Sequence, residues 1–136
     1  MTDTRASSPR DVLGKLLHDV SADQWDNLHE LYSEDTVVRH PFARDGSILL
    51  EGREALRVHF EHFAHSGLKL RARDVVYHDT TDPEVAIAEF VYDGIGPGAD
   101  EHFEMAACFV WRVRKGLIID CHDYLDRFRP VEARQS

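Results

Sequence analysis

The sequence predicts an α+β fold, in which a curved antiparallel sheet wraps around N-terminal helices and encloses a cone-shaped interior. In the first half of the chain, apolar residues recur three or four positions apart, which is the spacing of helices. From Leu68 onward, polar and apolar residues alternate with a period of two, which is the spacing of strands. Helices followed by a long run of strands are typical of helices packed on one face of a sheet.

Three helices are predicted before the sheet. The first covers residues 10–20 and presents one apolar stripe made of Val12, Leu13, Leu16, Leu17 and Val20. The second begins at Ser21, because S-A-D-Q resembles a helix N-terminus, and its apolar face carries Trp25, Leu28, Leu31 and Tyr32. The third follows Gly52, with an apolar face of Leu56, Phe60 and Phe63.

One early strand and four later strands are predicted. T-V-V-R-H at 36–40 is rich in β-branched residues, and Pro41 ends it. The later strands are expected at about 68–79, 85–93, 102–114 and 117–128, with uncertain ends. Turn sequences separate them: T-T-D-P, G-I-G-P-G and R-K-G.

Length, charge and cysteine content limit the class of protein. The chain has 136 residues, which suits one domain at 10–128 between an N-terminal tail at 1–9 and a C-terminal tail at 129–136. A net charge of −9 argues against nucleic acid and anionic membranes as partners. The N-terminal segment does not resemble a secretion signal, so Cys108 and Cys121 are expected to be reduced thiols in a cytoplasmic protein.

Asp123 is the first candidate for a catalytic residue. In the strand I-I-D-C-H-D-Y-L-D at 118–126, alternation groups it with Ile119, Cys121 and Leu125 on an otherwise apolar face. A carboxylate among apolar side chains is poorly hydrated, which favours its neutral form and suits it to proton transfer near neutral pH. The alternative is a structural carboxylate that is bonded to a backbone N–H or an arginine.

The R-K-G turn suggests which residues lie beside Asp123. If paired residue numbers in the hairpin sum to 231, Cys108 lies opposite Asp123. A face of small residues would then line a cavity, formed by Glu104, Ala106, Cys108 and Val110. Met105, Phe109 and Trp111 would form an exposed apolar face, or lie under the helices if the sheet were inverted.

Three segments carry a resemblance to a known family: L-Y-S-E-D-T-V-V-R-H-P-F at 31–42, E-G-R-E-A-L-R-V-H-F at 51–60 and V-R-K-G-L-I-I-D-C-H-D-Y-L-D at 113–126. Together they resemble the SnoaL-like members of the nuclear transport factor two-like superfamily. This group includes polyketide cyclases, ketosteroid isomerases and limonene epoxide hydrolases. The resemblance implies a cone-shaped (cystatin-like) domain, a homodimer and an apolar small-molecule substrate.

The resemblance also suggests roles for individual residues. Asp123 matches the acid/base aspartate that the cyclases and epoxide hydrolases carry in their last strand. His40 stands where the isomerases have a catalytic aspartate and the epoxide hydrolases a water-positioning amide, and imidazole can replace either group. The alternative for His40 is a capping or surface histidine. Further candidates for the pocket are Trp25, Tyr32, Val38 and Leu125.

This chain lacks residues that the ketosteroid isomerases and the epoxide hydrolases use, which argues against either mechanism in its usual form. The oxyanion-hole tyrosine of the isomerases corresponds to Leu16 and Leu17, and its partner aspartic acid corresponds to Cys108, a poor donor. The Arg–x–Asp pair of the epoxide hydrolases is missing, because Glu89 is the only charged residue in 85–92. Glu89 is either a second acid in the cavity or an outward charge. Histidines that recur on the third helix, His59, His62 and His65, suggest a solvated face rather than a metal site.

The sequence therefore predicts an enzyme without cofactor or metal that uses Asp123 and His40 as acid and base. Ring closure or a double-bond shift demands little beyond these two groups and an orienting cavity. The family resemblance implies a polyketide- or terpenoid-like substrate. The alternatives are epoxide hydrolysis or dehydration with the same pair, and a non-catalytic binding or dimerisation module.

Overall fold

A computed structural model describes residues 8–43, 49–96 and 102–126 of the chain. Its elements are, in order, helix α1 (Pro9–Ser21), a 3₁₀ turn (Leu28–Leu31), strands β1 (Tyr32–Arg39) and β2 (Leu49–Glu51), helix α2 (Arg53–Ala64), and strands β3 (Lys69–Asp79), β4 (Val85–Ile95), β5 (His102–Arg114) and β6 (Leu117–Leu125). The predicted α+β fold is confirmed: the helices pack on one side of a curved, unclosed six-stranded sheet.

The sheet brings the first and last strands together. Its strand order is β2-β1-β6-β5-β4-β3, and the β1·β6 pair is parallel while the other four pairs are antiparallel. Register shifts interrupt three of these pairings. Such irregularities bend and twist a sheet, which lets it curve around the helices.

Helix α1 begins as the sequence suggests but is not followed by a second α-helix. Ser8 and Asp11 form a capping box at its N-terminus. The predicted helix from Ser21 is wrong, because Ser21 ends α1 and its hydroxyl accepts a hydrogen bond from the Ala72 N–H at 2.9 Å. Asp23 then adopts a positive φ of 60°, which breaks the helical path. Only the 3₁₀ turn remains before β1.

The predicted register of the last hairpin is right only next to the turn. Arg114 pairs with Leu117 and Val113 with Ile118, and both sums are 231. Beyond a bulge at Ile119 the sums become 232, so Asp123 lies opposite Phe109 and Cys108 lies opposite Tyr124. The extra residue shifts the rest of β6 by one position relative to β5. The β5 side chains that share a face with Asp123 are therefore the ones that would otherwise lie on the opposite face.

The bulge decides which face of β5 is inside. Met105, Phe109 and Trp111 point toward the helices, so the exposed face is wrong and the alternative, in which they lie under the helices, is right. Homodimerisation stays a prediction from the family resemblance. The predicted tails fall largely outside the described residues. Neither α-helix of the described ranges has the length and hydrophobicity needed to cross a bilayer.

The start of β4 is tied to the end of β5 by a carboxylate. Glu84 accepts hydrogen bonds from Arg114 at 2.8 Å and from Arg112 at 2.9 Å. The bonds from Arg114 first, and from Arg112 second, lower the pKa of Glu84 from its ordinary 4.5 to about 2. A folded-state pKa below the unfolded value means that Glu84 stabilises the protein above pH 4.5 and loses this effect as the pH falls toward 2.

We therefore expect Glu84→Gln to lower the urea midpoint of unfolding at pH 7, with a difference from wild type that shrinks as the pH falls below 4.5. Urea titrations of both proteins across this range measure the difference. A difference that is independent of pH would contradict an ionic origin.

Candidate functional site

A cavity of about 350 Å³ lies between the helices and the concave face of the sheet. Its walls are mostly aliphatic and aromatic, and both helices and strands β1, β3, β4, β5 and β6 contribute to it. Few polar side chains interrupt these walls: His40, His59, Asp123 and the hydroxyl-bearing Tyr32 and Tyr92. A mostly apolar cavity with a few convergent polar groups is typical of a small-molecule site.

Asp123 projects into this cavity from β6 and is only 7% exposed. Its two carboxylate oxygens have different neighbours. Oδ1 accepts a hydrogen bond from the indole Nε1–H of Trp111 at 2.5 Å, whereas Oδ2 lies 3.6 Å from Nε2 of His40. The indole fixes the carboxylate, while the second oxygen faces the imidazole. This geometry suits a group that holds and releases a proton at Oδ2.

His40 reaches Asp123 because of the parallel pairing of β1 with β6. The last pair of this ladder is Arg39 with His122, so the next residue on each strand is His40 and Asp123. Pro41 follows His40 and lacks the N–H that would continue a ladder, so the strand ends here. His40 is 6% exposed. The two residues that the sequence singled out are therefore neighbours inside the cavity.

Arg39 pairs with His122 beside Asp123, but its guanidinium binds another carboxylate. Arg39 points to the outer face of the sheet and binds Asp120 at 2.5 Å. A second arginine near Asp123 in the sequence, Arg127, lies outside the described residues. Within residues 8–43, 49–96 and 102–126, the Asp123 carboxylate accepts a hydrogen bond from an indole N–H and lies beside an imidazole.

Two buried tyrosines complete the polar part of the cavity. Burial raises the pKa of Tyr92, and the negative charge of Asp123 adds to the effect. Burial likewise raises the pKa of Tyr32, with smaller contributions from Cys121, Asp123 and Tyr92. Both phenols therefore remain protonated at physiological pH and are able to donate a hydrogen bond.

The structure separates the sequence-predicted pocket residues into two groups. Trp25, Tyr32, Val38 and Leu125 line the cavity together with His40 and Asp123. Glu89 and Cys108 do not, and their placement in the pocket is corrected: they pair with each other on the outer face of β4 and β5. There, Glu89 Oε2 lies 2.6 Å from His78 Nε2, so the outward alternative for Glu89 is the right one.

Sequence reasoning missed three polar residues of the cavity. Trp111 and Tyr92 were missed because their inward direction depends on the Ile119 bulge and on the β4·β5 register. His59 was assigned to a solvated helix face, but it lines the cavity, while His62 and His65 are exposed as predicted. The available signal was helical spacing, because His59 lies three residues after Leu56 and four before Phe63.

Gly94 makes room for an aromatic wall of the cavity. Gly94 pairs with Phe103 across β4 and β5, and a Cβ added to Gly94 would lie 2.2 Å from the Phe103 ring. We expect Gly94→Ala to displace this ring and lower the free energy of unfolding by about 1–3 kcal/mol, as overpacking does.

Urea denaturation measures the effect of Gly94→Ala. Phe103→Leu in the same chain should recover part of the loss, since the smaller side chain leaves space for the new methyl group. An equal loss with and without Phe103→Leu would show that the ring is not the cause.

No group of three or more His, Cys, Asp or Glu side chains in residues 8–43, 49–96 and 102–126 is arranged to hold a metal ion. Both cysteines are free thiols. Burial raises the pKa of the Cys121 thiol well above its ordinary value, with Asp123 and Asp120 adding to it, so this thiol stays neutral.

Comparison with known proteins agrees with this architecture. A family described as a SnoaL-like domain matches residues 14–121. A relative from Pseudomonas aeruginosa, an uncharacterised PhzA/B-like protein, is 31% identical over 105 residues, which is 76% of this chain and 74% of the relative.

Solved structures share the fold at lower identity. A candidate isomerase from Bacillus subtilis has a TM-score of 0.79 at 23% identity, covering 86% of this chain and 85% of its own. A candidate polyketide cyclase from Pseudomonas putida has a TM-score of 0.75 at 17% identity, with 90% and 94% covered. An LEH-like epoxide hydrolase from M. tuberculosis has a TM-score of 0.66 at 15% identity, with 90% and 85% covered. At these identities the likeness shows the fold alone.

Proposed function

The chain belongs to the SnoaL-like domain family, and on this premise we propose that it is an enzyme. The enzyme cyclises or isomerises a hydrophobic small molecule by general acid–base chemistry. The observation that supports it is the pair of Asp123 and His40, 3.6 Å apart and buried in a mostly apolar cavity. Burying a carboxylate costs free energy, and a site that only binds an apolar ligand has no need of one.

Each polar group of the cavity has a role in this proposal. Oδ2 of Asp123 removes an acidic C–H or O–H proton from the substrate, while the Trp111 N–H holds Oδ1 in place. His40 donates a hydrogen bond or a proton to the substrate oxygen that gains charge. Tyr32 and Tyr92, both protonated, offer further hydroxyl donors from the cavity wall. The substrate thus loses one proton to Asp123 and gains one from His40, and the pair regains its starting protonation states before the next turnover.

Ring closure and double-bond shifts fit a site of this size and composition. Both reactive parts belong to one molecule, so the cavity only has to hold them in a reactive geometry and exclude water. A volume of about 350 Å³ suits one small molecule. The candidate polyketide cyclases among the structural neighbours favour a polyketide-like substrate, and a terpenoid-like one is the alternative.

Water addition to an epoxide is the second candidate, because an epoxide hydrolase also shares the fold. The same Asp123–His40 pair would activate water. The outward position of Glu89, the only charged residue in 85–92, weighs against this candidate, because the corresponding strand of the epoxide hydrolases carries two catalytic charges. Ring closure or isomerisation needs no such pair.

The proposal is tested with a panel of one linear poly-β-ketone thioester, one β,γ-unsaturated ketosteroid and limonene epoxide. Products are identified by mass spectrometry and NMR, and binding is followed by the shift in melting temperature. We expect isomerisation of the ketone or ring closure of the thioester. Diol formation from the epoxide would support the second candidate, and compounds that bind but remain unchanged would indicate a binding module.

A further inference from the structure

His59 is a titratable residue of the cavity that the proposed reaction does not use. It projects from α2, and its ring centroid lies 6.0 Å from that of His40, with an angle of 30° between the rings. Three proton-binding side chains thus follow one another in a single cavity: Asp123, His40 and His59.

Solvent exposure increases from the Asp123–His40 pair to His59. Asp123 is 7% exposed and His40 is 6% exposed, so both are nearly shielded from water. His59 is half-buried. A proton that leaves the inner pair therefore reaches a residue with access to solvent by a single further transfer.

Aromatic neighbours hold the His59 ring in this position. The centroid of the Phe63 ring lies 4.7 Å from that of His59 with an angle of 89° between the rings, and the Phe60 centroid lies at 5.6 Å with an angle of 61°. Both of these contacts come from α2 itself. The nearby charged residues of α2 are engaged with each other, since Arg57 binds Glu54 and Glu61.

We propose that His59 is a proton-transfer residue that carries protons between the His40–Asp123 pair and solvent. This inference rests on the proposed function, because the pair must recover its starting protonation state between turnovers. Imidazole binds a proton at one ring nitrogen and releases one from the other. The proton leaves His40, directly or through one bridging water, binds His59 and passes to bulk water, and no other bond changes.

The experiment measures the exchange of the His40 ring N–H with water, by ¹⁵N-resolved NMR with saturation transfer from the solvent. The proteins are wild type, His59→Gln and His62→Gln, in which the control replaces an exposed histidine of the same helix. We expect His59→Gln to slow the exchange by roughly tenfold or more, as removal of a positioned proton-transfer group does. His62→Gln should leave the rate unchanged, and added free imidazole should restore it in His59→Gln.

An unchanged rate in His59→Gln would overturn the proposal. A faster rate would also overturn it, because His59 would then only shield the pair from water. His59→Asn provides a second substitution with the same expectation, and the dispersion of the amide spectrum confirms that each variant is folded.

The result is separable from the fate of the proposed function, because the exchange experiment needs no substrate. Slow exchange in His59→Gln without conversion of any compound would keep the proton path and reject the reaction. If substrate conversion depends on Asp123 but the exchange rate of the His40 ring N–H is the same with and without His59, the proton path alone is rejected.

Discussion

Replacing Asp123 by asparagine is expected to lower the turnover number on any converted substrate by a factor of about 10²–10⁴. The amide has nearly the same shape, and its oxygen still accepts the hydrogen bond that Trp111 Nε1–H donates to Asp123. It cannot take up a proton as the carboxylate does. We therefore expect turnover to fall far more than the affinity for the substrate, which steady-state kinetics and ligand-induced shifts in melting temperature measure separately.

The matched control for Asp123→Asn is Asp120→Asn. Asp120 lies on the same strand but on the outer face, where it binds Arg39 and is part-exposed. Its replacement removes a surface ion pair, for which a small loss of stability and no loss of turnover are expected. If Asp123→Asn retains the turnover of the wild type, Asp123 is a structural carboxylate and the acid–base proposal fails.

The largest expected effect on stability is that of Trp111→Ala, which should lower the free energy of unfolding by about 3–5 kcal/mol. Trp111 is 1% exposed. Its ring is stacked on that of Phe109, with 5.3 Å between the ring centroids, and the centroid of the Tyr32 ring lies 6.1 Å away. Its removal leaves a void among packed aromatic rings. It also leaves Oδ1 of Asp123 without its indole donor.

Trp111→Phe separates the packing of the ring from the hydrogen bond. Phenylalanine preserves most of the aromatic contacts but has no N–H, so we expect a loss of about 1–3 kcal/mol from the unsatisfied buried carboxylate oxygen. Trp25→Phe is the matched control, because Trp25 is a cavity-wall tryptophan packed against Phe60 and Phe63. Urea denaturation compares the two, and an equal cost would show that the bond to Asp123 contributes nothing.

The sequence determined the class of the fold and the position of most elements. The four later strands, expected at 68–79, 85–93, 102–114 and 117–128, correspond to Lys69–Asp79, Val85–Ile95, His102–Arg114 and Leu117–Leu125. The reason is local, because alternation of polar and apolar residues and turn residues specify a strand wherever one face is buried. The helix from Ser21 failed because a tertiary contact, the bond from Ala72 N–H, uses its hydroxyl.

The sequence also pointed to Asp123 and His40 but not to their surroundings. Each could be singled out because a charged or titratable residue lay at an apolar strand position, and the family resemblance matched both. Trp111 and Tyr92 could not, since a residue reaches a cavity only through the orientation of the element that carries it.

What only the tertiary structure decided is which side chains share the cavity, and a single residue shows why. The bulge at Ile119 inserts one position into β6, so Asp123 faces Phe109 and lies beside Trp111 instead of facing Cys108. Strand side chains alternate with a period of two, so one inserted residue exchanges the inner and outer faces of the partner strand. Periodicity within a strand is a property of the sequence, whereas the register between strands depends on how the whole sheet bends and packs against the helices.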